Sequence, residues 1–301
     1  MGTPGVAERR GRLVVLAGPG VIDQGAVEGL RAFAAAGELG VANTWGAKGV
    51  LAWDSPFHLG TCGLQDRDFE LLGFGSADAI VTVGADPVES PWSRLGPAPL
   101  VDVRPADLAA AAGRVVNTGP PLPNELYPRL AAVAQPGYVD DRVPLHPARA
   151  VADVGAALPS DGFVAAEPGL AGLWVARTFP TPALVPGASR RVQVPASRDP
   201  GVAVRLAAAQ ARAGRPAVAV TTAPLDAASA DAVDDLLGTA LPVVVELWGE
   251  RGDLDRAGQH AERLADALAV RSPRVLEVPV AFEATALLVA AAGPVVAWGG
   301  L

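Results

Sequence analysis

The sequence predicts an α/β protein built from two doubly wound parallel-sheet domains of Rossmann-like type. Two observations carry this. Short β-rich apolar runs such as Leu13–Ala17 and Ala79–Val83, each closed by glycine or proline, alternate along the whole chain with helical segments. The chain has 301 residues, comfortable for two domains of ordinary size and long for one core.

Taken in order, residues 1–11 are polar and glycine-rich and read as a flexible arm. The run 13–17 breaks at Gly18-Pro19-Gly20. Residues 24–39 then set Ala26, Leu30, Phe33 and Ala34 at spacings of three and four, the mark of an amphipathic helix. Residues 41–75 are rich in Gly, Trp, Asp and Pro with little periodicity, and are expected as loops over the carboxyl ends of strands. Residues 79–83 and 100–103 read as buried parallel strands, and Pro105 opens a short alanine-rich helix. A short strand at 115–116 and a helix over 124–134 close a first domain of residues 12–135. Two prolines and adjacent acids mark 136–145 as a linker.

The second domain, 146–301, alternates again. Helices are expected over 147–158, 170–178, 202–213, 228–237, 254–268 and 281–292. Strands are expected over 162–165, 217–221, 242–247 and 274–278, with a return at 295–298.

Composition excludes several functions. The formal charge is −8, and Lys48 is the single lysine among 24 basic residues, which argues against a nucleic-acid partner. One cysteine, Cys62, makes no internal disulfide. No run reaches the roughly 18–20 apolar residues of a membrane span and no leader is visible, so a cytoplasmic protein is expected. His58, His146 and His260 are far apart, and no nucleophile elbow is present, so no catalytic or metal-ligating residue is assigned.

The candidate binding residues gather at strand ends. Gly18 and Gly20 form a G-x-G between strand and helix, with Asp23 where a third glycine would complete a dinucleotide fingerprint; the same glycines also suit a tight turn. Trp45, Lys48 and Gly49 lie in Asn43-Thr44-Trp45-Gly46-Ala47-Lys48-Gly49-Val50, where glycines let backbone approach a phosphate and lysine supplies charge. Gly84, Asp86 and Asp102 sit at or beyond the ends of the next strands.

The order of strand, glycine turn, helix, T-x-G-x-K-G, H-L-G (58–60), strand-Gly and V-D-V-x-P-A-D-L (101–108) resembles the central domain of thiamine-diphosphate enzymes of the acetolactate synthase type. Residues 150–169, 206–221, 241–247 and 290–296 are similar, more weakly, to the diphosphate-binding domain of the same enzymes. That resemblance implies a Gly-Asp-Gly after the strand ending at Thr221, its Asp on Mg²⁺, and an Asn after the following strand. The sequence has Thr222-Ala223-Pro224 and Trp248-Gly249-Glu250 instead, with Asp226 a few residues late. It also has Val204-Arg205 where the family keeps small residues beside the diphosphate. The family's pyrimidine-binding domain would precede Arg12, where eleven residues stand.

The expectation is a relative that has lost cofactor binding and acts as a non-catalytic or partner subunit, with FAD or another nucleotide-like ligand allowed in the first domain. One alternative is an active decarboxylase or carboligase subunit using thiamine diphosphate and Mg²⁺, completed by a separate pyrimidine-domain chain. Another is a nucleotide- or acyl-carrier-binding enzyme on the reused scaffold. Alanine-rich helices at 203–213 and 281–292 suit a homo-oligomer, most simply a dimer, or tight packing within one subunit.

Overall fold

The computed structural model describes residues 7–182 and 191–300. These divide into two compact units. One takes the residues up to Arg129 with Thr181, Pro182 and Ala291–Gly300; the other takes Leu130–Pro180 and Arg191–Ala290.

The first unit begins with β1 (Arg9–Gly11), β2 (Leu13–Ala17), α1 (Gly20–Asp23) and α2 (Val27–Gly37). It continues through β3 (Gly40–Thr44), β4 (His58–Cys62), α3 (Asp68–Leu71), β5 (Ala79–Val83), β6 (Leu100–Asp102), α4 (Leu108–Ala111) and β7 (Val115–Asn117). Five parallel strands lie in the order β4-β3-β2-β5-β6. Every residue of β2 and β5 is buried, because central parallel strands are covered on both faces. Alternate residues Leu13, Val15, Ala17, Val41, Val81 and Val83 pack with Leu30, Phe33 and Ala34 of α2 into one core, which fixes which face the helix covers.

Several expectations are corrected here. The run 24–39 forms a single helix, α2, which starts at Val27, after Gly25 at φ +66°, rather than at Gln24. The stretch 41–75, expected as loops, contains β3 and β4. Their signal is masked because they bury polar residues: Asn43 donates to the Thr61 hydroxyl at 3.2 Å and to the Thr44 carbonyl at 3.0 Å, which satisfies an amide that is 1% exposed. Arg9–Gly11, assigned to the flexible arm, pairs in parallel with β7.

α5 (Leu126–Tyr138) carries Pro136 inside it and runs into the segment expected as linker. The second unit then holds α6 (Pro147–Ala157), β8 (Phe163–Ala166), α7 (Leu170–Thr178), β9 (Val192–Gln193), α8 (Val202–Arg212) and β10 (Ala217–Thr222). After these come α9 (Ala227–Leu237), β11 (Val243–Gly249), α10 (Gly258–Ala269), β12 (Arg274–Pro279) and α11 (Thr285–Ala292). The parallel order is β12-β11-β10-β8-β9. Ala203, Ala207, Ala208 and Ala211 of α8 are buried against Phe163, Ala165, Ala217 and Ala219 of their own sheet, so the alanines serve close helix-on-strand packing. Two-residue β9 has no periodicity to detect, and α10 starts at Gly258 rather than 254. Residues 183–186 of the proline-rich stretch lie outside the described residues.

The expected return at 295–298 is not a strand of the second sheet. Val295 makes an antiparallel bridge to Gln65, and Gln65 Nε2 donates to the Gly293 carbonyl at 2.7 Å, both within the first unit. Among the described residues no helix is long and apolar enough to cross a membrane.

At the carboxyl ends of β2 and β5, the Gly20 amide donates to the Gly84 carbonyl at 3.0 Å. Gly84 has φ +56°, and a methyl group on it would meet the Val21 amide nitrogen at 2.7 Å. Gly84→Ala is therefore expected to cost about 2–5 kcal/mol from backbone strain and overpacking together. Urea unfolding checks this, and an unchanged midpoint contradicts it.

Candidate functional site

Gly18, Gly20 and Gly84 converge because β2 and β5 are neighbours in the sheet. A Cβ on Gly18 would lie 2.4 Å from the Gly84 carbonyl oxygen and from Ala85 Cα, and one on Gly20 would lie 2.9 Å from Gly84 Cα. The space beside both glycines is thus filled by the chain's own backbone. Asp23 stands at the end of the one-turn helix α1.

The loop beyond β3 is a buried turn of 3₁₀ helix, Trp45–Ala47, followed by Lys48 and by Gly49 at φ +97°. Trp45 is 2% exposed and packs on Trp298 with ring centroids 5.5 Å apart; its indole nitrogen is buried without a hydrogen-bond partner. Lys48 is 7% exposed. Glu89, buried beyond β5, accepts from the Gly46 amide at 3.0 Å, so the loops after β3 and β5 are joined through a carboxylate.

His58 Nε2 lies 3.0 Å from Asn43 Oδ1, and Nδ1 lies 3.3 Å from the Trp53 carbonyl. Burial, reinforced by the charge of Lys48, lowers this imidazole to about 4, so it is neutral at pH 7. A neutral ring has one N–H for these two oxygens, and only one of the contacts is a hydrogen bond. Asp86 accepts from the Val88 amide at 2.8 Å and shapes the turn after β5. Asp102 accepts from the Thr82 hydroxyl at 3.0 Å across neighbouring strands. The structure joins Gly18, Gly20 and Gly84 in one loop contact, whereas Asp86 and Asp102 answer local backbone and strand neighbours.

In the second unit the strand ends hold different chemistry. Glu167, immediately after β8, extends Oε2 to the Ala203 amide in the first turn of α8 at 3.3 Å. Its Oε1 is buried and without a hydrogen-bond partner. Burial raises its carboxyl above the usual glutamate value, against the amides of Ala203 and Gly201 and the charge of Arg205. Thr222 ends β10, and Asp226 accepts from the Ser229 amide at 2.7 Å as the N-cap of α9. Arg205 donates to the Pro200 carbonyl at 2.7 Å. Sequence reasoning passed over Glu167; an acid placed between a strand and Pro168-Gly169 was the available signal.

A second cluster is wholly buried. His260 of α10 sits between Glu246 of β11, 2.9 Å from Nε2, and Asp153 of α6, 3.0 Å from Nδ1. Glu246 also accepts from the Trp248 indole at 2.8 Å, and Asp153 from Arg149 at 2.9 Å. Burial alone would lower His260, but Glu246 and Asp153 outweigh it and raise the imidazole to about 9. No sequence pattern links residues more than a hundred positions apart. Among the described residues, no group of three His, Cys, Asp or Glu side chains is placed to hold a metal ion.

Residues 8–115 match the family described as thiamine pyrophosphate enzyme, central domain. This stretch is similar to such a central domain. It carries β1 through β6 and ends on the first residue of β7, and it includes every glycine contact described above for the first unit's loops. Beyond the central domain the likeness is one of fold. A solved structure of a candidate thiamin diphosphate-dependent enzyme isolated from Mycobacterium smegmatis superposes with a TM-score of 0.66 at 17% identity, covering 92% of this chain. The chain spans 62% of the length of that structure. None of the curated proteins matches it.

Because His260 is raised from 6.5 to about 9, its contribution to stability is complete below pH 6.5 and is lost as pH rises through 9. The loss is on the order of 3 kcal/mol, at about 1.4 kcal/mol per pH unit across that window. Urea midpoints from pH 6 to pH 10 should fall for the wild type and flatten for His260→Gln. Parallel slopes in both proteins would contradict the assignment.

Proposed function

We propose that this chain is a divergent relative of the thiamine-diphosphate enzymes that does not hold the magnesium-bound diphosphate, and that it acts as a non-catalytic or partner subunit. The observation carrying this reading is the commitment of Asp226. In the resembling enzymes a carboxylate directly after this strand ligates Mg²⁺. Here the strand ends at Thr222, Ala223, Pro224 and Leu225 follow, and the first carboxylate, Asp226, caps α9.

The strand beyond, β11, ends in Trp248 and Gly249 and is followed by the exposed Glu250, with no asparagine amide. Mg²⁺ requires hard oxygen ligands in near-octahedral array, and the residues present do not fit it. The loss of the ligand set removes the bridge through which a diphosphate would be anchored, so no catalytic step is assigned to this chain. In the first unit the reading gives Gly18, Gly20 and Gly84 a packing role in the sheet-end loops, supported by the backbone that fills the space beside them.

Calorimetric titration with thiamine diphosphate and Mg²⁺ tests the proposal. No heat and no change in melting temperature are expected. Saturable, Mg²⁺-dependent binding with a raised melting temperature would overturn it, since a ligand selective for the folded state must stabilise that state. That outcome would favour an active subunit completed by a pyrimidine-domain chain.

A further inference from the structure

Resting on that reading, we propose that Glu167 is an internal anion whose carboxylate takes the N-terminus of α8, so that a free phosphate or diphosphate finds this position already filled.

α8 is eleven residues long and starts after Gly201, which takes φ +69° and supplies no side-chain cap. The first-turn amides of such a helix need acceptors, and the aligned peptide dipoles favour a negative charge there. The chain provides both from one residue. Glu167 is anchored by its own amide on the Val220 carbonyl at 2.8 Å, and its Oε2 reaches the Ala203 amide. Arg205, one turn into α8, adds positive charge at the same place.

The arrangement is incomplete as a resting place for a carboxylate. Oε1 is buried and accepts no hydrogen bond, a cost that a purely structural cap avoids by turning both oxygens to donors or water. Against burial, the charge of Glu167 is supported first by the Ala203 and Gly201 amides at the helix start and then by Arg205. A phosphate group brought to the same amides would meet like charge. The disagreement with the cofactor thus has a second part besides the missing metal ligands: the anion place at α8 is occupied from within.

The test follows the Gly201 and Ala203 amide resonances during titration with inorganic pyrophosphate in the absence of Mg²⁺. Wild type at pH 8 should show no saturable shift. Glu167→Ala should show one, with binding at least about tenfold tighter, weakening with salt and again in Glu167→Ala/Arg205→Ala. If Glu167→Ala does not fold, Glu167→Gln decides at pH 8. It keeps the length of the side chain and removes its charge, and should bind pyrophosphate where the wild type does not.

Equal binding by wild type and variant at pH 8 would overturn the inference. So would a folded variant that ignores pyrophosphate, whether Glu167→Ala or, with that variant unfolded, Glu167→Gln. Binding of thiamine diphosphate with Mg²⁺ by the wild type defeats the preceding reading; a silent Glu167→Ala in a chain that also ignores that cofactor defeats only this one.

Discussion

A carboxylate with no water around it must be met by donors, and the second unit is arranged around meeting one. Glu246 lies on β11 with no exposed surface, on the face turned to α6 and α10. One oxygen takes the Trp248 indole and the other the His260 ring, whose second nitrogen requires Asp153, which in turn requires Arg149. Satisfying a single buried charge therefore sets where two helices lie against the sheet. Removing one member leaves the rest uncompensated, so the network specifies an arrangement more than it adds net stability.

Glu167 shows the contrast. Half-buried just after β8 of the same sheet, it sets one oxygen on the Ala203 amide, while the other has no hydrogen-bond partner among the described residues. A fully met carboxylate is architecture. A carboxylate that leans on a helix start is set by that helix, and at the neighbouring strand end Asp226 likewise accepts from the first turn of α9.

The fold was legible wherever burial is apolar. β2, β5 and β10 are continuous runs of Val, Leu, Ile, Ala and Thr between turn residues, and the helices around Phe33 and Ala207 carry the expected spacing. It was illegible at β3 and β4, where Asn43, Thr61 and His58 pair inside the protein and look, in one dimension, like loop. For the site, the glycines of Gly18-Pro19-Gly20 and Gly84 were visible, but not that they press on each other, since adjacency of β2 and β5 is a property of strand order. His260 and Glu167 stayed hidden for the same reason: their partners are distant in sequence and near only through the sheet.

The return of Ala291–Gly300 to the first unit separates the order of the chain from the order of assembly. Trp45 is made early and Trp298 late, yet each covers the other. On a ribosome the central domain would emerge with its sheet complete and one wall still open, and that wall would close only after the whole second sheet had been synthesised. The first unit is thus completed by residues that follow the whole of the second sheet.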